Sequence, residues 1–287
     1  MEPHNISENK TSYLNQNKKD TLNFSFTYEE IQEIYSDKTF FKILNVSNSR
    51  NYLWHIAMPK SGTTWLSSII SEIFKVRGGT TAKLVPDYAQ RPQEIDPRLF
   101  ITPPGRDIFF TQQHCLYSRY TELLVKITGT KMIFQYRNIP DALISLRDHI
   151  DDALFGSKIE KHAMPKATWK LERENITDYI LDVELPWYCK FLDGWLSSDL
   201  FNSNYFFALR YEDLIAAPKE TVMALSQYLS LNFQEKEIDE AINNAASRFT
   251  RKNKGVVGRG YSQLSEKQKQ KIINVAKYFN IPDDLVV

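Results

Sequence analysis

Apolar residues follow two rhythms along this chain. At 52–58 the run Tyr-Leu-Trp-His-Ile-Ala-Met is nearly continuous, as in a buried strand, and over 66–74 apolar positions recur at helical spacing. The residues between them, Pro59-Lys60-Ser61-Gly62-Thr63-Thr64-Trp65, therefore form a turn that leads into a helix. The same succession returns. A second strand is predicted over 107–111, ending near His114, before helical spacing over 117–127. A third is predicted over 131–136, after which Pro140 suits a helix first turn and Asp141 lies beside the N-terminal dipole. A fourth over 205–209 leads to Tyr211-Glu212-Asp213 and a helix over 218–229. The stretch 148–198 reads as mainly helical and aromatic, and 265–279 as a charged amphipathic helix. Strands alternating with helices imply a single-domain α/β fold, a central parallel sheet flanked by helices, with ligands at the carboxyl ends of its strands.

Outside this alternation the pattern weakens. Residues 1–23 carry too little apolar content to order themselves and read as a flexible N-terminal arm, which leaves 24–287 as the domain. A short helix is predicted over 27–34, with Thr27 as its cap. The stretch 78–105, punctuated by Pro86, Pro92, Pro97, Pro103 and Pro104, is long for a connection inside a compact domain and reads as a working loop.

Composition narrows the chemistry. With 287 residues, 42% of them hydrophobic, the chain can bury a substantial core, and a formal net charge of +1 without a long basic run argues against a nucleic-acid polymer or an anionic membrane as partner. No apolar run approaches the roughly 18 residues of a membrane span. The two cysteines, Cys115 and Cys189, are too few for a disulfide framework and lack zinc-site spacing, usage that suits a reducing cytoplasm. The acceptor patterns at Asn5-Ile6-Ser7 and Asn175-Ile176-Thr177 have no secretory signal to accompany them. No carboxylate cluster has metal-ligand spacing, so no metal is expected.

The turn at 59–65 carries the first chemical signal. Gly62 lets the backbone approach a ligand, and Thr63 and Thr64 add hydroxyls where unpaired helix N–H groups and the positive dipole end point outward. Such a turn binds phosphate-like anions. It is not the nucleotide-hydrolase loop, which needs two glycines four residues apart followed by Lys-Ser/Thr, because Lys60 precedes Gly62 and no earlier glycine exists. The stretch closely resembles the 5′-phosphosulfate loop of cytosolic-type sulfotransferases that use 3′-phosphoadenosine-5′-phosphosulfate (PAPS), and Lys60, Ser61, Gly62, Thr63, Thr64 and Trp65 are its expected donor-binding residues. Without that resemblance Trp65 reads as a core residue of a Gly-Thr turn.

Further segments extend the resemblance in family order, from about residue 50 to 260. Arg137-Asn138-Ile139-Pro140-Asp141, with Ser145 eight residues after Arg137, is similar to the family's Arg-Asn-Pro-x-Asp segment, which implies that Arg137 and Ser145 hold the donor's 3′-phosphate. Ile139 adds a residue before the proline. On its own, an arginine at a strand end is more often a solvated charge. Tyr211-Glu212-Asp213 resembles a Tyr-Glu-Asp segment that contributes to the adenine site, against the plain reading of a tyrosine closing the core. Lys254-Gly255-Val256-Val257-Gly258 resembles the Arg-Lys-Gly-x-x-Gly segment that closes over the 3′-phosphate, but Asn253 occupies the arginine position, and Arg259-Gly260-Tyr261 lacks the tryptophan expected after the second glycine. Arg251 and Lys252 stand close enough to substitute, and Phe249 falls where the family packs an aromatic on adenine opposite Trp65.

His114 ends Phe109-Phe110-Thr111-Gln112-Gln113-His114, between the loop and Arg137, where the similar enzymes carry a catalytic histidine. An imidazole titrates near neutrality, at about pH 6.5 when unperturbed, so it can take a proton from an acceptor hydroxyl. A histidine after a strand is otherwise more often a structural hydrogen-bonder. Gln112 stands where relatives often have a lysine. Lys60 is expected to stabilise charge on the leaving phosphate.

The resemblance thus implies in-line sulfuryl transfer from PAPS to a hydroxyl or amine of a small-molecule acceptor by a cytoplasmic enzyme, in a bacterial-type member tailoring a natural product. Asp148, Asp151 or Asp152 would face a cationic acceptor, if they are not simply a solvated acidic helix face. The family's C-terminal dimerisation motif is not recognisable around 259–269, which leaves a homodimer open. The rivals are a nucleotide kinase with a similar strand-loop-helix, a non-catalytic PAPS-binding protein, and the membrane-anchored sulfotransferases of the secretory pathway.

Overall fold

The computed structural model describes residues 51–76, 82–83, 108–156, 166–248 and 257–286. The expected arm over 1–23, the helix over 27–34 and most of the proline-punctuated stretch lie outside the described residues. Five strands are all parallel: β1 (Asn51–Ala57), β2 (Ala82–Lys83), β3 (Ile108–Gln113), β4 (Lys131–Tyr136) and β5 (Phe206–Arg210). Their spatial order is β2-β3-β1-β4-β5, so β1 is central, with β3 on one side and β4 on the other. β2 falls inside the stretch read as an irregular loop. At two residues it is too short for periodicity to register.

The helices are α1 (Thr63–Val76), α2 (Arg119–Thr128), α3 (Ile139–Asp151), α4 (Ile176–Tyr179), α5 (Leu185–Leu196), α6 (Tyr211–Ala216), α7 (Pro218–Tyr228), α8 (Glu235–Arg248), α9 (Arg259–Ser262) and α10 (Glu266–Tyr278). Local chemistry sets several ends. Ser118 caps α2 by accepting from Thr121 N–H, and Gly129 closes it in the left-handed region. Asn138 caps α3 through Asp141 N–H, with Pro140 in the first turn as expected. Ser265 and Gln268 form a capping box on α10.

Side chains alternate across β1 and β4, and both faces of these strands are apolar. Trp54, Ile56, Met132, Phe134 and Tyr136 face one core with Leu124, Ile144, Tyr188, Phe191 and Trp195 from α2, α3 and α5. Phe134 stacks on Phe191, and Trp54 meets Trp195 edge-on at 6.0 Å. Leu53, Ile133 and Leu209 face the other core, with Leu66, Ile69 and Ile73 of α1, Val222 and Leu225 of α7, and Ile238, Ala241 and Ala245 of α8. The sequence pattern did not single out α8. Its buried face relies on two alanines, small residues that let helices approach but read weakly in a hydropathy pattern.

Candidate active site

The site grows from β1, the strand buried deepest in the sheet. Beyond Ala57 the chain turns through Lys60 (φ 65°) and Gly62 (φ 84°), both left-handed, before α1 begins. A lysine there costs about 1–2 kcal/mol and persists only where its surroundings hold it. Gln135 of β4 does much of that holding. Its carbonyl accepts from Met58 N–H at 2.8 Å, its side-chain amide donates to the Ser61 carbonyl at 2.7 Å, and its Oε1 accepts from His55 Nε2 at 2.8 Å. The Ser61 hydroxyl turns inward and donates to the Met58 carbonyl at 2.6 Å. Ser61 therefore serves the turn's shape with its side chain. Sequence reasoning missed Gln135 and His55; the signal was two polar residues near the carboxyl ends of otherwise apolar strands.

Glycine is required at position 62 for a second reason. A Cβ there would lie 2.5 Å from the Tyr211 ring, so the turn rests directly on that aromatic face. Thr63 is buried and Thr64 exposed at the start of α1. Trp65 is partly buried and packs on the core around α1.

Across the sheet, the residues following the strands line up on the same edge. His114 follows β3, Arg137 follows β4 and Tyr211 follows β5, with the Lys60–Gly62 turn after β1 between His114 and Arg137. Strand order, not sequence order, thus places the imidazole on one flank of the turn and the guanidinium on the other.

Arg137 is 6% exposed and stitched to its surroundings. Its guanidinium lies 4.2 Å from the centroid of the Tyr211 ring, donates to the Lys60 carbonyl at 3.3 Å, pairs with Asp141 at 3.3 Å and lies 4.0 Å from Glu212. Asp141, 1% exposed, also accepts from Gly258 N–H at 2.8 Å and Gly260 N–H at 2.6 Å. Three donors compensate the buried carboxylate. A Cβ at 260 would lie 2.3 Å from the Pro140 carbonyl carbon, so this packing of α9 on the start of α3 requires a glycine there. Neither Gly260 nor this use of Asp141 was anticipated; two glycines astride Arg259 were the available signal.

His114 is 9% exposed, and its Nδ1 donates to the Ala57 carbonyl at 2.6 Å. That bond places the proton of a neutral imidazole on Nδ1 and the basic lone pair on Nε2. Gln113 beside it accepts from Trp54 Nε1 at 3.0 Å. Tyr211 is buried under the turn and above Arg137, with burial as the leading cause that raises its phenol pKa. Ser145, 5% exposed, lies on α3 between Asp141 and Asp148. Phe249, Arg251, Lys252, Lys254 and Gly255 lie outside the described residues.

The acidic residues after Ser145 are used within the chain. Asp148 accepts from Arg147 at 2.8 Å and from Arg259 at 2.6 Å, and Asp151 pairs with Arg173 at 2.6 Å. Burial acts to raise the Asp148 pKa, but the two arginines outweigh it and the net shift is downward. Two of the three carboxylates expected to face a cationic acceptor, Asp148 and Asp151, are thus paired with arginines of the same chain. Cys115 and Cys189 are both buried free thiols, and burial pushes Cys189 up to about 12.

A family model described as "Sulfotransferase domain" matches residues 50–280. Among similar proteins, Sulfotransferase 1A1 of Rattus norvegicus is 24% identical over 204 residues, covering 68% of this chain and 65% of that protein. Cytosolic sulfotransferase 1 of Arabidopsis thaliana is 27% identical over 197 residues, covering 64% of this chain and 57% of that protein. The chain thus spans less than two thirds of these relatives' length. Among solved structures, mouse sulfotransferase SULT7A1 complexed with PAP is similar with a TM-score of 0.59 at 15% identity, over 85% of this chain and 91% of that one. Retinol dehydratase in complex with androsterone and inactive cofactor PAP gives 0.54 at 13%, over 84% of each. At these identities the likeness is one of fold.

Proposed function

The chain belongs to the sulfotransferase domain family, and from that premise we propose that it transfers a sulfuryl group from PAPS to a hydroxyl or amine of a small-molecule acceptor. The observation that carries this reading is the order across the sheet edge, His114, then the Lys60–Gly62 turn, then Arg137. A donor whose sulfate end lies at the turn has a base on one flank and a guanidinium for its second phosphate on the other.

Each residue then has a task. The left-handed turn and the first amides of α1 hold the 5′-phosphosulfate. Arg137 with Ser145 holds the 3′-phosphate, and the Tyr211 ring supports both the turn and the guanidinium. His114 Nε2 takes the acceptor's proton as the acceptor oxygen bonds to sulfur and the bond from sulfur to the phosphate oxygen breaks. The electron pair leaves with adenosine 3′,5′-bisphosphate, whose developing charge Lys60 stabilises. Phe249, the basic Arg251, Lys252 and Lys254, and Gly255 are assigned to the adenine and 3′-phosphate end on sequence resemblance.

Retinol dehydratase was solved with androsterone, which supports an acceptor of small-molecule size. With Asp148 and Asp151 paired to arginines, a cationic natural product is the less favoured acceptor, and Asp152 is its remaining carboxylate. No helix among the described residues is long and apolar enough to cross a membrane, and a cytoplasmic location fits the names of the similar plant enzymes. Calorimetric titration of adenosine 3′,5′-bisphosphate and of magnesium-ATP tests the reading. The bisphosphate should bind tightly to the wild type and weakly to Arg137→Ala, with ATP weak throughout. Preference for magnesium-ATP would overturn it in favour of a kinase.

A further inference from the structure

Position 253 is an asparagine where the resembled segment carries an arginine, and α9, which follows in the chain, sets another arginine against α3. Asp141, Ser145 and Asp148 recur at the spacing that puts side chains on one helix face. The amides of Gly258 and Gly260 both bind Asp141, so the backbone of Arg259 is fixed beside the first turn of α3. Its guanidinium reaches Asp148 Oδ2 at 2.6 Å, seven residues and so about 10 Å further along the helix axis. Ser145 lies on the same face of α3, three residues before Asp148. Because side chains on a helix lean toward its N-terminus, the Asp148 carboxylate brings the guanidinium back to within about one turn, roughly 5 Å of axial rise, of the serine.

The guanidinium is not fully used where it lies. Its side chain is 11% exposed, and Nη1 is buried without a hydrogen-bond partner among the described residues. Asp148 is also held by Arg147, which itself donates to Gln263, so two cations share one carboxylate at this point. A buried guanidinium N–H with no acceptor is costly, and a guanidinium with a free N–H near a serine hydroxyl is the chemistry that receives a phosphate dianion.

Resting on the sulfotransferase reading above, we propose that Arg259 is a second guanidinium of the 3′-phosphate site, opposite Arg137 across Ser145. Asp148 is then a positioning residue that aims Arg259. This contact distinguishes donors by their ribose 3′ substituent and leaves the phosphosulfate end untouched.

The test is the affinity ratio between adenosine 3′,5′-bisphosphate and adenosine 5′-phosphate, titrated on wild type and on Arg259→Met, which keeps the apolar stem. Arg259→Met should weaken bisphosphate binding about 10- to 100-fold, the worth of a charge-assisted contact, and leave the monophosphate unchanged. A ratio equal to that of the wild type, whether both affinities hold or both fall, overturns the assignment. A wild type without preference for the bisphosphate removes the sulfotransferase reading itself, and this proposal with it. Should Arg259→Met not fold, Arg259→Lys carries the same comparison, because one ammonium cannot serve Asp148 and a phosphate with the geometry of a planar fork.

Discussion

The two flanks of the Lys60–Gly62 turn are built on different principles. On the Arg137 flank, charged groups tie distant segments together: Arg137 joins the turn, α3 and Tyr211, and Asp141 joins α3 to the amides of Gly258 and Gly260. On the His114 flank, the contacts described around the imidazole are to neutral side chains and backbone. His114 bonds the Ala57 carbonyl, Trp54 bonds Gln113, and Trp195 Nε1 bonds the Cys115 carbonyl with Tyr117 packed edge-on against its ring. A flank that receives a multiply charged ligand benefits from cations that are already ordered, because the ligand then meets prepaid geometry. A flank that must move a proton benefits from a base whose tautomer is set by a neutral acceptor, leaving its charge free to change.

That contrast can be broken from either side. The largest effect is expected at His114. His114→Ala should lower turnover about 10²- to 10⁴-fold, with bisphosphate affinity unchanged by calorimetry; equal losses in both would mean that the flanks are not separable. The next is in the turn's support. Gln135→Leu leaves the Ser61 carbonyl and His55 without their buried side-chain partner, and thermal unfolding should report a loss of about 1–3 kcal/mol for each group that stays unpaired. A Tm within error of the wild type would show that the turn holds itself.

On the charged flank, Gly260→Ala forces a methyl into the Pro140 backbone and should cost about 1–3 kcal/mol of stability together with weaker bisphosphate binding. Unchanged binding in the folded variant would detach the returning segment from the donor site. The smallest effect concerns Asp148. Its pKa is lower in the folded protein, so the stability that it contributes is present above its ordinary value of about 3.8 and is lost as the pH falls through the folded value. The stability gap between wild type and Asp148→Asn, below about 1 kcal/mol for a part-exposed pair at neutral pH, should therefore close on acidification below about pH 4, as denaturant titrations at stepped pH would read. A gap that widened there would mean that the pairs with Arg147 and Arg259 are not what Asp148 contributes.

Much of this arrangement was legible in the order of residues, because its causes are local. Continuous apolar runs mark strands buried on both faces, and all four expected strands appear within a residue or two of their predicted bounds. The turn at Lys60 and Gly62, Pro140 in a helix first turn, and the positions of His114, Arg137 and Tyr211 just beyond strand ends all follow from short-range chemistry. The two-residue β2 and the alanine-faced α8 escaped, since neither carries enough periodic signal to compete with its surroundings.

What the chain order could not convey is which strand lies beside which, and the site depends on it. Residues 57 apart meet when His114 bonds Ala57, residues 74 apart meet when Gln135 bonds Ser61, and residues 119 apart meet when Gly260 bonds Asp141. Pairing β1 between β3 and β4 sets His114 and Arg137 on opposite flanks, and the same packing pairs Asp148 and Asp151 with arginines. The sequence by itself determined the strands and the turn and offered the candidate groups at their ends, because backbone preference and hydrophobic period act over a few residues. Only the tertiary structure decided which of those groups are spent on each other, because hydrogen bonds and ion pairs act over a few ångströms in space regardless of separation along the chain.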